Sequence, residues 1–549
     1  MEEHSLTQAS AAPATVFASF AAAAAQHAQR PFLHILPETA RYYAIAAQSL
    51  SYGEALREIG RLAAMYAQAG YGHGHRAGLM LENRPAFFLH WLALNKLGVS
   101  VVPINTDMRA AELNYLLEHS ELCLAVVLPG REAGLRDAAG HTHRSVAIVA
   151  PDCVEVAPAP HPPPLAGAPG VDTECALLYT SGTTGRPKGC VLSNDYFLLA
   201  GAWYNAIKGL CTLTPGQERL ITPLPMVHMN AMAYSSMAMI MSGGCIIPLD
   251  RFHPATWWRS VREAQASVMH YLGVMPAMLM GAPASPQDRA HGVRFGFGAG
   301  VDKAHHAAFE ERFGVPLIEA WAMSETGAGA VIIANHEPRH VGTACFGKPE
   351  AALEIRIVDE SGADAAPGVP GELWVRASGA DPRRGFFREY LKDPQASAEA
   401  WASGWFQTGD MVRRDAEGAL YFIDRKKNVI RRSGENISAV EVESVLRQHP
   451  AVQAVAVAAT PDPVRGDEVV ALVVPHDGGA DLAASAATIT EFCLTQLAYY
   501  KAPGYVAFVD HLPLTTSQKI QRATIKEWAR ELPGSARCID TRRLKKRQE

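Results

Sequence analysis

The period of apolar and polar positions changes several times along this chain, and each change marks an element. Ser51-Tyr52-Gly53-Glu54 reads as a capping box, with serine and glutamate three apart ahead of an apolar-periodic run. Leu56, Ile59, Ala63 and Tyr66 follow at helical spacing, and Gly70 predicts the stop. Short apolar runs at 124–128, 145–150 and 176–179 predict strands, as do 245–247 and Val268–Leu272. Strands alternating with helical patterns imply an α/β architecture with mostly parallel sheets. From about residue 350 the alternation becomes strict. Leu353-Glu354-Ile355-Arg356-Ile357 and Glu372-Leu373-Trp374-Val375-Arg376 predict half-exposed antiparallel strands. The charged stretch Asp424-Arg425-Lys426-Lys427-Asn428 interrupts this pattern, and a small α+β unit follows. It opens on a second capping box, Ser438 to Glu441, with Ile437 and Val442 placed as a hydrophobic staple, and continues with strands at 452–457 and 469–474. The segment 157–170 holds six prolines and reads as a loop.

Composition narrows the class. A chain of 549 residues exceeds one ordinary core, and 48% hydrophobic with 19% charged residues suits a globular protein of several units. A net charge of −5 does not point to nucleic acid. Nine cysteines, odd in number and without a C-x-x-C pair, argue against a disulfide framework or structural zinc and fit a reducing compartment. The basic run Arg542, Arg543, Lys545, Lys546, Arg547 reads as a solvated tail. The alanine stretch 21–25, with Glu2 and Glu3 ahead of it, reads as a helix start rather than a signal peptide. No window approaches eighteen strongly apolar residues, so no membrane-spanning helix is expected.

The strongest chemical signal is Tyr179-Thr180-Ser181-Gly182-Thr183-Thr184-Gly185-Arg186-Pro187-Lys188-Gly189, directly after a short strand. Its glycines permit sharp turns and close approach to an anion. Successive N–H groups there can form a nest for phosphate oxygens, with hydroxyls from Ser181, Thr183 and Thr184 and a cation from Lys188. It is not the P-loop pattern G-x-x-x-x-G-K-[ST].

This string resembles the signature of the adenylate-forming superfamily, which includes acyl-CoA synthetases and peptide-synthetase adenylation domains. Further segments resemble the family's other motifs, in order, over roughly residues 30 to 525. Leu224-Pro225-Met226-Val227-His228-Met229-Asn230 resembles the segment whose histidine lies beside the acyl pocket, here His228. Gly298-Ala299-Gly300 resembles the segment along adenine. Glu319-Ala320-Trp321-Ala322-Met323-Ser324-Glu325-Thr326 looks like the adenine and magnesium motif. The resemblance gives Trp321 to base stacking, Ser324 to the α-phosphate and Glu325 to Mg²⁺. Thr408-Gly409-Asp410 matches the ribose motif, and Arg425 an arginine near ribose and phosphate. Lys427 falls at the hinge position, and Gly434 at the entry for the pantetheine arm of coenzyme A. Thr516-Ser517-Gln518-Lys519-Ile520 resembles the catalytic-lysine motif, with Gln518 where glycine is usual.

The resemblance implies an α/β fold with a large N-terminal domain, residues 1–425, of two layered α/β subdomains plus a small β-barrel. A mobile C-terminal α+β domain, 426–549, would carry Lys519 and the coenzyme A step. It implies an acid–thiol ligase using ATP, Mg²⁺ and coenzyme A on a small-molecule carboxylic acid, cytoplasmic, compatible with a homodimer and with no nucleic-acid or integral membrane partner. Residues 224–242 and on to 280 look most similar to crotonobetaine/carnitine-CoA ligases, so carnitine, crotonobetaine or another small to medium organic acid is expected. A quaternary ammonium would favour an aromatic cage, for which Tyr204, Tyr234 and Tyr271 are candidates. The alternative is an adenylating enzyme that passes the acyl group to a carrier protein or other acceptor. Residues 226–234 lack the aspartate that amino-acid adenylating domains use for the substrate ammonium.

Overall fold

The Ser51 capping box forms as its spacing requires. The Ser51 hydroxyl accepts from Glu54 N, and the Glu54 carboxylate accepts from Ser51 N at 2.8 Å. The helix Tyr52–Gln68 follows, and Gly70, at φ +88°, ends the turn. The computed structural model describes residues 13–143, 145–159, 163–180, 187–359, 362–425, 429–476, 481–513, 520 and 522–546.

Two sheets among the described residues are mainly parallel. In the first, Arg219–Thr222, Cys245–Pro248, Val268–Leu272, Phe295–Ala299, Leu317–Trp321 and Pro31–Ile35 run parallel, with antiparallel edges at Gln48–Ser51 and Ile332–Ile333. In the second, Arg76–Met80, Ser100–Pro103, Leu124–Val127, Ala147–Val149 and Glu174–Thr180 are parallel, and Lys188–Ser193 returns antiparallel to Glu174–Thr180. Helices including Val16–His27, Pro85–Lys96 and Asn194–Ala206 share one apolar core with both sheets. Nearly continuous apolar strands such as Val268–Leu272 are what sheets covered on both faces demand.

The third sheet is antiparallel. Leu353–Val358 pairs with Gly371–Ala377 from Leu353–Ala377 to Val358–Glu372, in the register that the alternating pattern allows. The fourth belongs to the chain beyond residue 429. There Val452–Asp462 and Gly466–Pro475 form a long antiparallel pair, and Tyr505–Phe508 adds parallel to it. The apolar cores also divide here: one ends at Leu420, and a separate one begins at Ile430. Ile437 and Val442 are fully buried together in the latter.

The basic tail departs from expectation. Lys545 is buried, with Nζ 2.5 Å from Glu468 Oε1, and Arg432 Nε lies 2.8 Å from Glu468 Oε2. Burial, then the Arg432 charge, lowers Lys545 to about 7. One buried carboxylate between two cations compensates both charges, which a sequence run of basic residues does not reveal.

Candidate active site

A cavity of about 640 Å³ opens where several chain segments meet. It sits past the carboxyl ends of the first sheet's strands. Leu224 and Pro225 follow Arg219–Thr222, Gly273 follows Val268–Leu272, and Gly300 follows Phe295–Ala299. Ala322 to Glu325 follow Leu317–Trp321, and Thr180 ends a strand of the second sheet. Ligand sites of open α/β sheets lie at such ends, because the connecting loops are free of the helices that cover the faces.

Of the residues singled out in the sequence, the cavity gathers Thr180, Lys188, His228, Gly298, Ala299, Gly300, Ala320, Ser324, Glu325 and Gly434. Ser181, Gly182, Thr183, Thr184, Gly185, Lys427, Gln518 and Lys519 lie outside the described residues. So does the side chain of Arg425, whose backbone pairs with Asp410.

Three predicted residues stand behind the wall rather than on it. Glu319 is buried and accepts from Gly300 N at 3.0 Å, Val301 N at 3.1 Å and the Tyr271 hydroxyl at 2.9 Å. Burial raises its carboxyl, opposed by those donors. Its place is therefore to lock the 298–301 turn, not to meet a ligand. That turn needs its glycines: a Cβ on Gly298 would lie 2.2 Å from Tyr271 O, and Gly300 has φ +78°. Trp321, expected to offer its face to a base, is 6% exposed, and its indole N–H donates to Asp410 Oδ2 at 2.9 Å. Asp410 is 1% exposed, so the tryptophan fixes this carboxylate under the wall.

The anionic and cationic groups are positioned by residues that carry no motif signal. Tyr390 donates its hydroxyl to Glu325 Oε1 at 2.9 Å, and Lys188 Nζ lies 4.6 Å above the same ring. Lys188 Nζ is also 3.7 Å from Asp393 Oδ2. The one available signal was Asp393-Pro394, a helix start, since Asp393 caps Pro394–Ala400. Burial and the Glu325 charge raise the Tyr390 phenol, keeping it a donor. Asn83 organises the His228 segment: its amide donates to Leu224 O and Leu249 O and accepts from Met226 N.

The chain beyond residue 429 closes one side. Gly434, at φ +89°, meets Leu272, so that a Cβ there would lie 2.3 Å from Leu272 Cδ1. Glu435 Oε2 lies 3.3 Å from His228 Nε2. Burial lowers the imidazole, but Glu435 outweighs it, and the net shift is upward. Lys501 Nζ binds Glu112 Oε1 at 2.6 Å and Glu441 Oε1 at 3.0 Å, all three buried or nearly so. Arg431 and Arg465 also face the cavity.

The tyrosine cage does not form. Tyr204 and Tyr271 are fully buried, with hydroxyls held by His270 and by Ile318 O and Glu319. Among the three, Tyr234 alone reaches the cavity wall.

One carboxylate facing a cavity, oriented by a hydroxyl donor and next to a lysine, suits Mg²⁺ brought with phosphates: that ion keeps several waters and takes few protein ligands. Glu325 with Tyr390 fits this description.

A glycine-lined cavity at these strand ends, walled partly by a second unit, is the arrangement that the motif resemblance to adenylate-forming enzymes implies. Residues 20–390 match the AMP-binding enzyme family and 441–519 the AMP-binding enzyme C-terminal domain. The chain belongs to that family and is an AMP-forming acid–CoA ligase. It is similar to the crotonobetaine/carnitine–CoA ligase of Escherichia coli, 31% identical over 491 residues, covering 87% of this chain and 93% of that one. The Citrobacter koseri ligase of the same name is 30% identical over 501 residues, with the same coverage of 87% and 93%. A solved malonyl-CoA ligase with methylmalonyl-CoA and AMP bound superposes with a TM-score of 0.72 at 28% identity, over 88% of this chain and 97% of that one. The o-succinylbenzoate CoA synthetase of Bacillus subtilis shares the fold, with a TM-score of 0.77 at 24% identity, over 93% and 98% of the chains. Among the described residues, no helix is long and apolar enough to cross a membrane.

Proposed function

We propose that this chain activates a small to medium organic acid with Mg²⁺-ATP as its acyl-adenylate, and transfers the acyl group to coenzyme A after the unit from residue 426 turns about Lys427. The observation that carries this is one cavity holding Lys188 and Glu325 on one wall and Gly434 of the C-terminal unit on another.

A carboxylate is a poor electrophile because its leaving group would be oxide. Attack on the α-phosphorus of ATP expels pyrophosphate and gives a mixed anhydride with a good leaving group. Charge grows on the phosphoryl oxygens as this happens. Groups aimed there stabilise the transition state more than the ground state. Lys188, Ser324, the 181–185 loop and Lys519 are assigned that work, Thr180 the strand end that launches the loop, and Arg425 the ribose side, with Asp410 bracing that side from beneath the wall. Gly298, Ala299, Gly300 and Ala320 form the surface for adenine. Mg²⁺ on Glu325 would draw charge from the phosphates. His228 lies beside the reacting carboxylate, and Gly434 leaves room for the pantetheine arm.

The test is coenzyme A-dependent AMP formation with a panel of carboxylates: carnitine, crotonobetaine, short and medium fatty acids, benzoates and cyclic acids. AMP that requires coenzyme A supports the reading. AMP and pyrophosphate without thioester would replace coenzyme A by another acceptor, such as a carrier protein. No AMP with any acid would overturn it.

A further inference from the structure

The cavity wall away from the phosphate side contains one uncharged polar group whose orientation the fold dictates. Asn230 and Tyr234 line it from the π-helical segment Asn230–Ser235, with Phe297 beside them. Behind Asn230 lies His270, fully buried on Val268–Leu272. His270 Nδ1 is 2.8 Å from Asn230 Oδ1 and 2.8 Å from Ser235 Oγ, and Nε2 is 2.9 Å from the Tyr204 hydroxyl. Burial lowers this imidazole to about 3, so the ring is neutral and carries one N–H. The buried Tyr204 hydroxyl has no other hydrogen-bond partner among the described residues, so it gives its hydrogen to Nε2; the ring proton then sits on Nδ1 and is donated to the Asn230 amide, whose oxygen alone can accept it. The Ser235 hydroxyl spends its own hydrogen on Asn230 O at 3.2 Å. The Asn230 amide is thereby pinned, oxygen inward, with its NH₂ turned to the cavity and without a partner among the described residues.

Among the described residues, the same wall offers no free carboxylate for a cation. The carboxylates on the cavity are Glu325, Glu372 and Glu399, engaged by Tyr390, Gly409 N and Gln395 respectively. Rings cannot surround a cation either. Trp203, Tyr234 and Phe297 pack on one another at centroid distances of 5.5, 6.0 and 6.2 Å, which leaves no room between their faces.

Resting on the synthetase reading, we propose that Asn230 is a specificity-determining residue that donates its amide N–H to an uncharged oxygen on the acyl group. The acid is then a neutral-tailed monocarboxylate bearing an acceptor oxygen, not a betaine. A hydrocarbon acid would leave two donors dehydrated, and buried donors discriminate strongly against ligands that cannot pair them.

The experiment compares kcat/KM for AMP formation within shape-matched pairs: 4-oxopentanoate with 4-methylpentanoate, tetrahydropyran-4-carboxylate with cyclohexanecarboxylate, and crotonobetaine with its neutral carbon isostere, 5,5-dimethylhex-2-enoate. The wild type is expected to prefer an oxygen member at least tenfold and the neutral isostere over crotonobetaine. Asn230→Leu should bring the oxygen preference to about one. Asn230→Asp keeps the bond from His270 and so preserves the fold; it should also lose the preference while gaining on crotonobetaine. Oxygen preference absent from the wild type, or unchanged in both variants, overturns the inference and leaves the synthetase reading standing. A wild type faster on crotonobetaine than on its isostere does the same. No AMP from any acid overturns both.

Discussion

The sheet side of the cavity and the side supplied by the C-terminal unit are held by different forces. On the sheet side the 298–301 turn is fixed by neutral close packing and by Glu319, which takes three donors at once. There is no space into which it could relax, since a single added carbon at Gly298 would collide with Tyr271 O. On the other side, the contacts that cross to the C-terminal unit include ion pairs: Lys501 with Glu112, and His228 with Glu435. Lys501 also has Glu441 from its own unit. It keeps a carboxylate if Glu112 leaves, so undocking does not strand a buried charge. The difference teaches that packing with one solution holds a surface in place, whereas charges that retain a second partner let a contact part at lower cost, as the proposed alternation would require.

The largest test of this contrast is Lys519→Ala. It should cost adenylation at least a hundredfold, about 3 kcal/mol, while thioester formation from supplied acyl-adenylate stays largely intact. Equal losses in both half-reactions would mean that the C-terminal unit does not alternate. Next is Gly298→Ala, expected to destabilise the fold by about 1–3 kcal/mol through overpacking, read as a lowered Tm with both half-reactions impaired. Unchanged stability would show that the sheet wall yields more than its geometry implies. Glu112→Gln removes the charge that crosses the interface and should slow thioester formation about tenfold, or about 1.4 kcal/mol, without lowering Tm comparably. Loss of adenylation instead would place the pair on the wrong half-reaction.

The smallest effect is in pH. Glu435 raises His228 above its ordinary 6.5, so the charged pair is complete below that value and is lost as pH rises through the raised one. Thioester formation should fall a few-fold relative to adenylation across that window, and Glu435→Gln should flatten the profile. A wild-type ratio that is flat with pH would remove the pair from the docking of the two units.

Local signals were legible wherever a short stretch of chain decides the outcome. The Ser51–Glu54 box and the antiparallel pairing at 353–357 each act through their own backbone, and each appears as read. Tyr390, Asp393, Asn83 and His270 were not legible. Each acts on a residue brought near by the fold: Tyr390 on Glu325, Asp393 on Lys188, Asn83 on the segment before His228, and His270 on Asn230. Glu319 and Trp321 were legible as positions but not in what they touch, because facing a ligand and bracing the wall behind it differ only in side-chain direction.

The sequence by itself determined the family and the order of the α/β and antiparallel segments, since these follow from motif spacing and period. Tertiary structure alone decided that Lys545 is buried on Glu468 rather than solvated, that Tyr204 and Tyr271 face inward, and that the C-terminal unit docks through Lys501 and Glu435. The reason is physical. Backbone turns and periodicity are set by neighbours in the chain, whereas the sign and cost of a buried charge or hydroxyl depend on partners up to several hundred residues away, which come within reach only when the sheets have formed.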